Sequence, residues 1–280
     1  MPAAALVFLL MLTGPVFAAP RILVHGHRGA RAVRPENTLA AFEYSIQAGA
    51  DVLELDLAVT SDNILVVSHD PALPKAICTG PGGTRVIREM TFQQLRRWDC
   101  GGRRNAKFPR QQLVPGASVP SLDEVLDLAS QGSFEFNIES KIRPDRPRFT
   151  PPPEDFARLL VEAIRRHRLE SRCIIQSFDF RTLHAARRLA PEIRRSALYE
   201  GPPRDLVAMA RQAEAGILSP HHRLVTASLV KEAHAAGLQV VPWTANKPSQ
   251  WERLAAAGVD AIITDDPAAL VAWLKQQGLR

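Results

Sequence analysis

The chain alternates between two hydrophobic rhythms. Apolar runs suited to buried strands fall at 22–27, 52–59, 134–140, 173–177, 195–199, 216–219, 239–243 and 260–264. Helical spacing follows most of them, at 38–49, 153–168, 180–190, 204–214, 226–236, 249–257 and 267–276. Nearly continuous apolar strands separated by amphipathic helices are what a parallel sheet sheathed in helices requires. Eight such strands predict an α/β fold, a (β/α)8 TIM barrel. End signals agree: Pro153, Glu154 and Asp155 open one helix and arginines close it, as the helix dipole favours. Ile64–Ser68 follows the turn Ser61-Asp62-Asn63 and predicts a short hairpin strand outside the barrel count. From about 75 to 118 the rhythm is lost among Gly80, Gly82, Gly83, Gly101 and Gly102, which predicts a small insertion between the second and third barrel strands. Pro144 to Pro153 is a second loop.

Ahead of this pattern, residues 1–20 carry no charged side chain. An apolar stretch from Leu6 to Leu12 is broken by Gly14-Pro15, and Val16-Phe17-Ala18 fits a cleavage site. Residues 1–18 are therefore expected to be a signal peptide, with 19–280 the barrel domain. The stretch is short for a membrane span. The expectation is a secreted or periplasmic protein with no stable membrane anchor. Export permits disulfides. Cys78 and Cys100 bracket a glycine-rich stretch and are the expected pair, while Cys173 opens a buried-strand pattern and is expected to be free. The spacings match neither a zinc ribbon nor a redox CxxC.

At 46% apolar and 23% charged residues, the chain is an ordinary globular composition, which excludes disorder, collagen and a polytopic membrane protein. Thirty-five basic residues against 29 acidic give +6, which suits anionic small-molecule partners. The bases are spread along the chain, with no dense run interleaved with aromatics, so no nucleic-acid partner is expected.

Strand polarity carries the chemistry. In Val52–Val59 the side chains alternate, so Leu53, Leu55 and Leu57 share one face and Glu54 and Asp56 the other. Leucines must meet the helices outside, which sends both carboxylates inward. Ionised groups there need a partner or a cation, and a hard divalent ion fits an all-oxygen set; pairing with Arg or Lys is the alternative. The next strand repeats the pattern: Glu139 and Lys141 share the face of Asn137, giving a third oxygen ligand and a cation for a phosphoryl oxygen, or else a Glu–Lys pair. His25 and His27 share a face of the first strand, with Arg28 at its C-terminal end, where such barrels keep their active sites. His27 and His69 are candidate acid and base; His25, deeper, is expected to be structural.

In chain order, His27-Arg28-Gly29, Pro35-Glu36-Asn37-Thr38, Glu54-Leu55-Asp56, Val67-Ser68-His69-Asp70, Asn137-Ile138-Glu139-Ser140-Lys141, Gln176-Ser177-Phe178, Trp243-Thr244 and Ile263-Thr264-Asp265-Asp266-Pro267 resemble the glycerophosphodiester phosphodiesterase family over nearly all of the mature chain. The resemblance implies metal-dependent hydrolysis of glycerophosphodiesters to glycerol 3-phosphate and an alcohol, through a cyclic phosphate. It implies one divalent cation, Ca²⁺ or Mg²⁺, on Glu54, Asp56 and Glu139, His27 and His69 as catalytic residues, and Arg28 and Lys141 on the phosphate. Glu36 and Trp243 are further expected substrate-site residues, with helix entry and core packing as their alternatives. Rival readings are a lysophospholipase D-like or phospholipase-like enzyme on lipid, a metal-dependent amidohydrolase using His25, His27 and Asp265, and a non-catalytic binding protein.

Overall fold

The computed structural model describes residues 21–280, so the expected signal peptide lies outside the described residues. Eight parallel strands run β1 (Leu23–Gly26), β2 (Val52–Val59), β4 (Glu135–Ser140), β5 (Cys173–Ser177), β6 (Arg194–Tyr199), β7 (Ile217–Pro220), β8 (Gln239–Val240) and β9 (Ala261–Thr264), with β3 (Leu65–Val67) set antiparallel on β2. The order β8-β7-β6-β5-β4-β2-β1-β9 is that of a barrel with sequential neighbours. At its seam β8 is short, because Pro242 has no N–H to donate. Closure is carried by single bonds instead, from Asp260 N to the Val240 carbonyl and from Ile263 N to the Pro242 carbonyl, 3.1 and 3.0 Å.

Helices α1 (Leu39–Gln47), α3 (Leu122–Leu126), α4 (Pro153–His167), α5 (Phe180–Leu189), α6 (Leu206–Gln212), α7 (Ala227–Ala235), α8 (Pro248–Ala257) and α9 (Pro267–Gln276) form the sheath; α2 (Phe92–Leu95) belongs to the insertion. Among the described residues no helix is long and apolar enough to cross a membrane.

Three apolar clusters follow from this layout. The largest lies between strands and helices and contains Leu53, Leu55 and Leu57 with Phe42, Phe136 and Phe156, so the leucines of β2 do face outward. A small one fills the barrel itself, from Ile174, Ile217, Val241, Ala261 and Ile263. The third belongs to the insertion, where Leu73, Ile87, Leu95 and Trp98 pack on Ala58 and Val66 of the β2–β3 hairpin. Cys78 and Cys100 sit in that cluster and form a disulfide, and Cys173 is free and buried. Burial raises the Cys173 thiol to about 12, so it stays protonated and unreactive.

Candidate active site

The strands deliver their polar residues to one cleft at their C-terminal ends. It has a volume of about 240 Å³, with His27, Arg28, His69, Glu139 and Lys141 on one side and Phe178, Leu198 and Trp243 on the other. Paired registers explain the meeting: Glu54 lies opposite Asn137, and Asp56 opposite Glu139, on parallel neighbours β2 and β4. His69 arrives by the hairpin, since β3 runs back along β2 until Ser68 N bonds the Asp56 carbonyl at 2.9 Å.

Glu54, Asp56 and Glu139 are all buried, and each offers an oxygen within 4.8 Å of the others. Arg28 Nε stands 3.1 Å from Asp56, and Lys141 Nζ 3.1 Å from Asp56 and 2.7 Å from Glu139. Both alternatives considered for these acids are thus partly realised, as cationic partners and as a ligand cluster. The charge count separates them. Arg28 is shared with Glu36, at 2.7 Å. Four carboxylates therefore face two cationic side chains, and a divalent cation closes the balance. Burial, then Asp56 and Glu139, push Glu54 well above the usual carboxylate range; burial raises Glu139 as well. Asp56 is held well below that range because Lys141 and Arg28 outweigh its burial. Its buried Oδ1 has the Lys141 ammonium at 3.1 Å as an ionic neighbour and no hydrogen bond of good geometry. An all-oxygen trio with one such atom fits a hard divalent ion.

The backbone that presents Arg28 is bent for the purpose. Arg28 has φ +51° and Gly29 φ +78°. A Cβ at Gly29 would lie 2.6 Å from the backbone of Ala41, so only glycine lets α1 approach this turn. In that conformation Arg28 N donates to Glu54 Oε2 at 2.9 Å.

His27 and His69 are held differently. His27 Nδ1 lies 2.6 Å from Asp265 Oδ1, and Arg31 Nε and Asn246 Nδ2 each lie 2.7 Å from the same carboxylate. The carboxylate can only accept, so Nδ1 carries the proton and Nε2 is left free, 3.9 Å from Glu54. Burial and Arg31 lower His27 to about 4, leaving the ring neutral near pH 7. Asp265 stays ionised: His27 and Arg31 outweigh burial and hold it below the ordinary aspartate range. His69 Nδ1 pairs with Asp70 at 2.9 Å in a half-exposed setting.

Of the expected site residues, His27, Arg28, Glu54, His69, Glu139, Lys141 and Trp243 line the cleft, and Asp56 lies beneath it. Glu36 does not open into it; it braces Arg28 and lines a small adjoining cavity. His25 stays deep, 3.4 Å from Asn137 Nδ2, and burial drops it to about 3, as a structural group. It takes no part in the carboxylate cluster, which removes the basis of the amidohydrolase reading. Four contributors were not anticipated as such. Asp265 and Asn246 orient His27, Asn37 donates to Asp56 Oδ2 at 3.0 Å, and Gln176 donates to Glu54 Oε1 at 2.8 Å. Asn37 sits at a left-handed φ of +58°, which asparagine tolerates better than most non-glycines.

Comparison with known proteins identifies the family of the chain. Residues 27–269 match the model of the glycerophosphoryl diester phosphodiesterase family. A glycerophosphodiester phosphodiesterase from Caldanaerobacter subterraneus subsp. tengcongensis is 33% identical over 258 residues, 92% of this chain and 100% of that one. A solved structure from Silicibacter pomeroyi superposes with TM-score 0.86 at 34% identity, covering 92% of this chain and 95% of its own. An Oleispira antarctica phosphodiesterase, solved with the product sn-glycerol-3-phosphate, gives TM-score 0.77 at 25% identity, covering 91% and 97%. With the match running from His27 past Asp265, the chain belongs to the glycerophosphoryl diester phosphodiesterase family.

Proposed function

We propose that this protein hydrolyses glycerophosphodiesters to glycerol 3-phosphate and an alcohol, with Glu54, Asp56 and Glu139 holding one divalent cation, Ca²⁺ or Mg²⁺. The observation that carries the reading is the buried carboxylate trio set beside two histidines and two cationic side chains in one cleft. Such an ion, when bound, supplies positive charge to the phosphoryl oxygens as charge builds there.

The chain's own groups account for the rest. Arg28 and Lys141 bind the non-bridging phosphoryl oxygens and cost no reorganisation, since buried carboxylates already fix them. The glycerol hydroxyl beside the phosphate is the nucleophile. One histidine takes its proton as the new P–O bond forms. The other protonates the alcohol oxygen as the old P–O bond breaks, leaving a cyclic phosphate. Water then opens the ring with the histidine roles exchanged. His27, neutral and with Nε2 free, is poised as the first base, and half-exposed His69 as the acid toward the departing alcohol. Trp243 and Phe178, edge to face at 5.6 Å, form the apolar wall against which the carbon skeleton rests. We propose in addition, from the leader expected at residues 1–18, that this chemistry runs in the periplasm or outside the cell.

A panel of phosphodiesters with identification of the products tests the reading. Glycerol 3-phosphate plus free alcohol is expected from glycerophosphocholine and its relatives. Cleavage on the other side of phosphorus, giving glycerol and phosphocholine, would overturn the reading, and turnover confined to lysophospholipids would replace it with a lipid-directed activity.

A further inference from the structure

The bases look scattered along the sequence, but the fold sorts them. Loops that follow strands lie at the barrel mouth, and loops that precede strands lie at the opposite end. Segment 101–118, which packs beside the mouth, holds Arg103, Arg104, Lys107 and Arg110 and no acid. Its position is fixed by bonds from Gln111 Nε2 to the Arg31 carbonyl, 2.6 Å, and from Gln112 N to the Val33 carbonyl, 2.8 Å. Arg110 bonds Asp266 at 2.8 Å. The loop after β4, residues 142–152, adds Arg143, Arg146 and Arg148 against one acid, Asp145, which pairs with the first two. Among the described residues Arg103, Arg104, Lys107 and Arg148 have no acidic partner, and all four are exposed. The opposite end has no such excess: its connecting loops and the residues flanking β1 and α9 hold Asp51, Glu170, Glu192, Glu214 and Asp260 against Arg21, Arg168, Arg172 and Arg280, with Asp51 paired to both Arg21 and Arg280.

Apolar groups share the basic face. Phe178 at the cleft edge is 47% exposed and Leu113 in the insertion 38%, two of the few large apolar side chains left open. Phe108 and Phe149 each carry a guanidinium over the ring, from Arg31 and Arg146, at 5.0 and 5.7 Å to the centroid. Unpaired bases mixed with part-exposed aromatic and aliphatic groups suit the interface of an anionic bilayer, where charge and apolar contact both contribute. A soluble polyanion would use the bases alone.

We infer that the mouth of the barrel is a docking face for an anionic phospholipid bilayer, on which the charge asymmetry between its two ends turns the active site toward the lipid. The contact is peripheral and reversible, and it does not depend on the catalytic reading.

The test is co-sedimentation of the protein with sucrose-loaded vesicles of phosphatidylcholine, with and without phosphatidylglycerol. Binding is expected to the anionic vesicles only. It should fall steeply with salt, as the screening length drops from about 10 Å at 0.1 M to about 3 Å at 1 M. The triple change Arg103→Glu, Arg104→Glu, Lys107→Glu should weaken binding at least about tenfold, since it turns three bases facing the anionic surface into acids. Its turnover of soluble substrate should be unchanged, because none of the three touches the cleft. The pair Arg146→Glu, Arg148→Glu on the other loop should act in the same direction. The control Arg188→Glu, Arg211→Glu, Lys231→Glu makes the same charge change on exposed positions of α5, α6 and α7, and should retain most of the binding. Equal loss in that control would mean that net charge acts without orientation, and would overturn the proposal. So would absence of binding to anionic vesicles at low salt, or binding to soluble polyphosphate with none to vesicles.

Discussion

Asp265 and Asp70 do the same job for their histidines in unequal surroundings. The buried Asp265 is clamped by Arg31 and Asn246, whereas Asp70 is half exposed beside His69. Replacing His27 or His69 by Ala should lower kcat by about 10²–10⁴-fold, the usual loss of a general acid or base. The double variant should be far less than multiplicatively worse, because the pair acts as a unit. Asp265→Asn should reduce kcat with little change in KM, because the amide allows the wrong His27 tautomer; an unchanged kcat would remove Asp265 from the account. His25 makes a separate prediction about stability. Its folded value of about 3 lies below its ordinary 6.5, so between these values the unfolded chain binds a proton that the native one does not. Its contribution is full above pH 6.5 and is lost as pH falls toward 3, at up to about 1.4 kcal/mol per pH unit. Thermal melts across that range should show a shallower acid decline in His25→Asn, provided that its fold is retained; identical slopes would contradict the assignment. At this scale the sequence exposed what strand alternation encodes. Glu54, Asp56 and Glu139 were legible because residues two apart share a face. The hydrogen bond of Asp265 to His27 was not, because its partner is 238 positions away and only barrel closure brings β9 beside β1.

Elements were more legible than contacts, for the same reason: periodicity is local. The barrel strands, the β2–β3 hairpin and the main helices fall within a few residues of their hydrophobic patterns. The exceptions are α3, which no predicted helical segment covers, and β8, where 239–243 reads as a strand but Pro242 interrupts the ladder after Val240. The insertion was visible only as a loss of rhythm, since its cluster draws on residues from Ala58 to Val119 with no repeated spacing. Its disulfide closes a loop of 22 residues beside the cavity that adjoins His69. Chain entropy puts the contribution of such a link at about 3 kcal/mol. Cys78→Ser with Cys100→Ser should therefore lower the melting temperature and loosen the support of His69, raising KM for bulky diesters more than it alters turnover of small ones. Alkylation of unfolded, unreduced protein should modify one thiol, Cys173; three modified thiols would refute the bridge.

For the whole molecule, the barrel gathers at one mouth what the chain disperses over more than two hundred residues. Its outer core sets the strands, the register sets the carboxylates, and the hairpin and β9 bring His69 and Asp265 to them. The floor so built carries more negative charge than Arg28 and Lys141 neutralise, which is why the account requires a cation for activity and not for folding. Glu54→Gln should accordingly weaken ion binding while leaving the metal-free protein at least as stable, since it relieves repulsion from Asp56 and Glu139. The most direct measurement is the release of glycerol 3-phosphate from glycerophosphocholine by the purified protein, before chelation, after it, and after adding back Ca²⁺ or Mg²⁺, with bound metal assayed at each stage. Turnover should be abolished when the metal is removed and restored when it is returned. Undiminished turnover in excess chelator, with no metal retained, would contradict it.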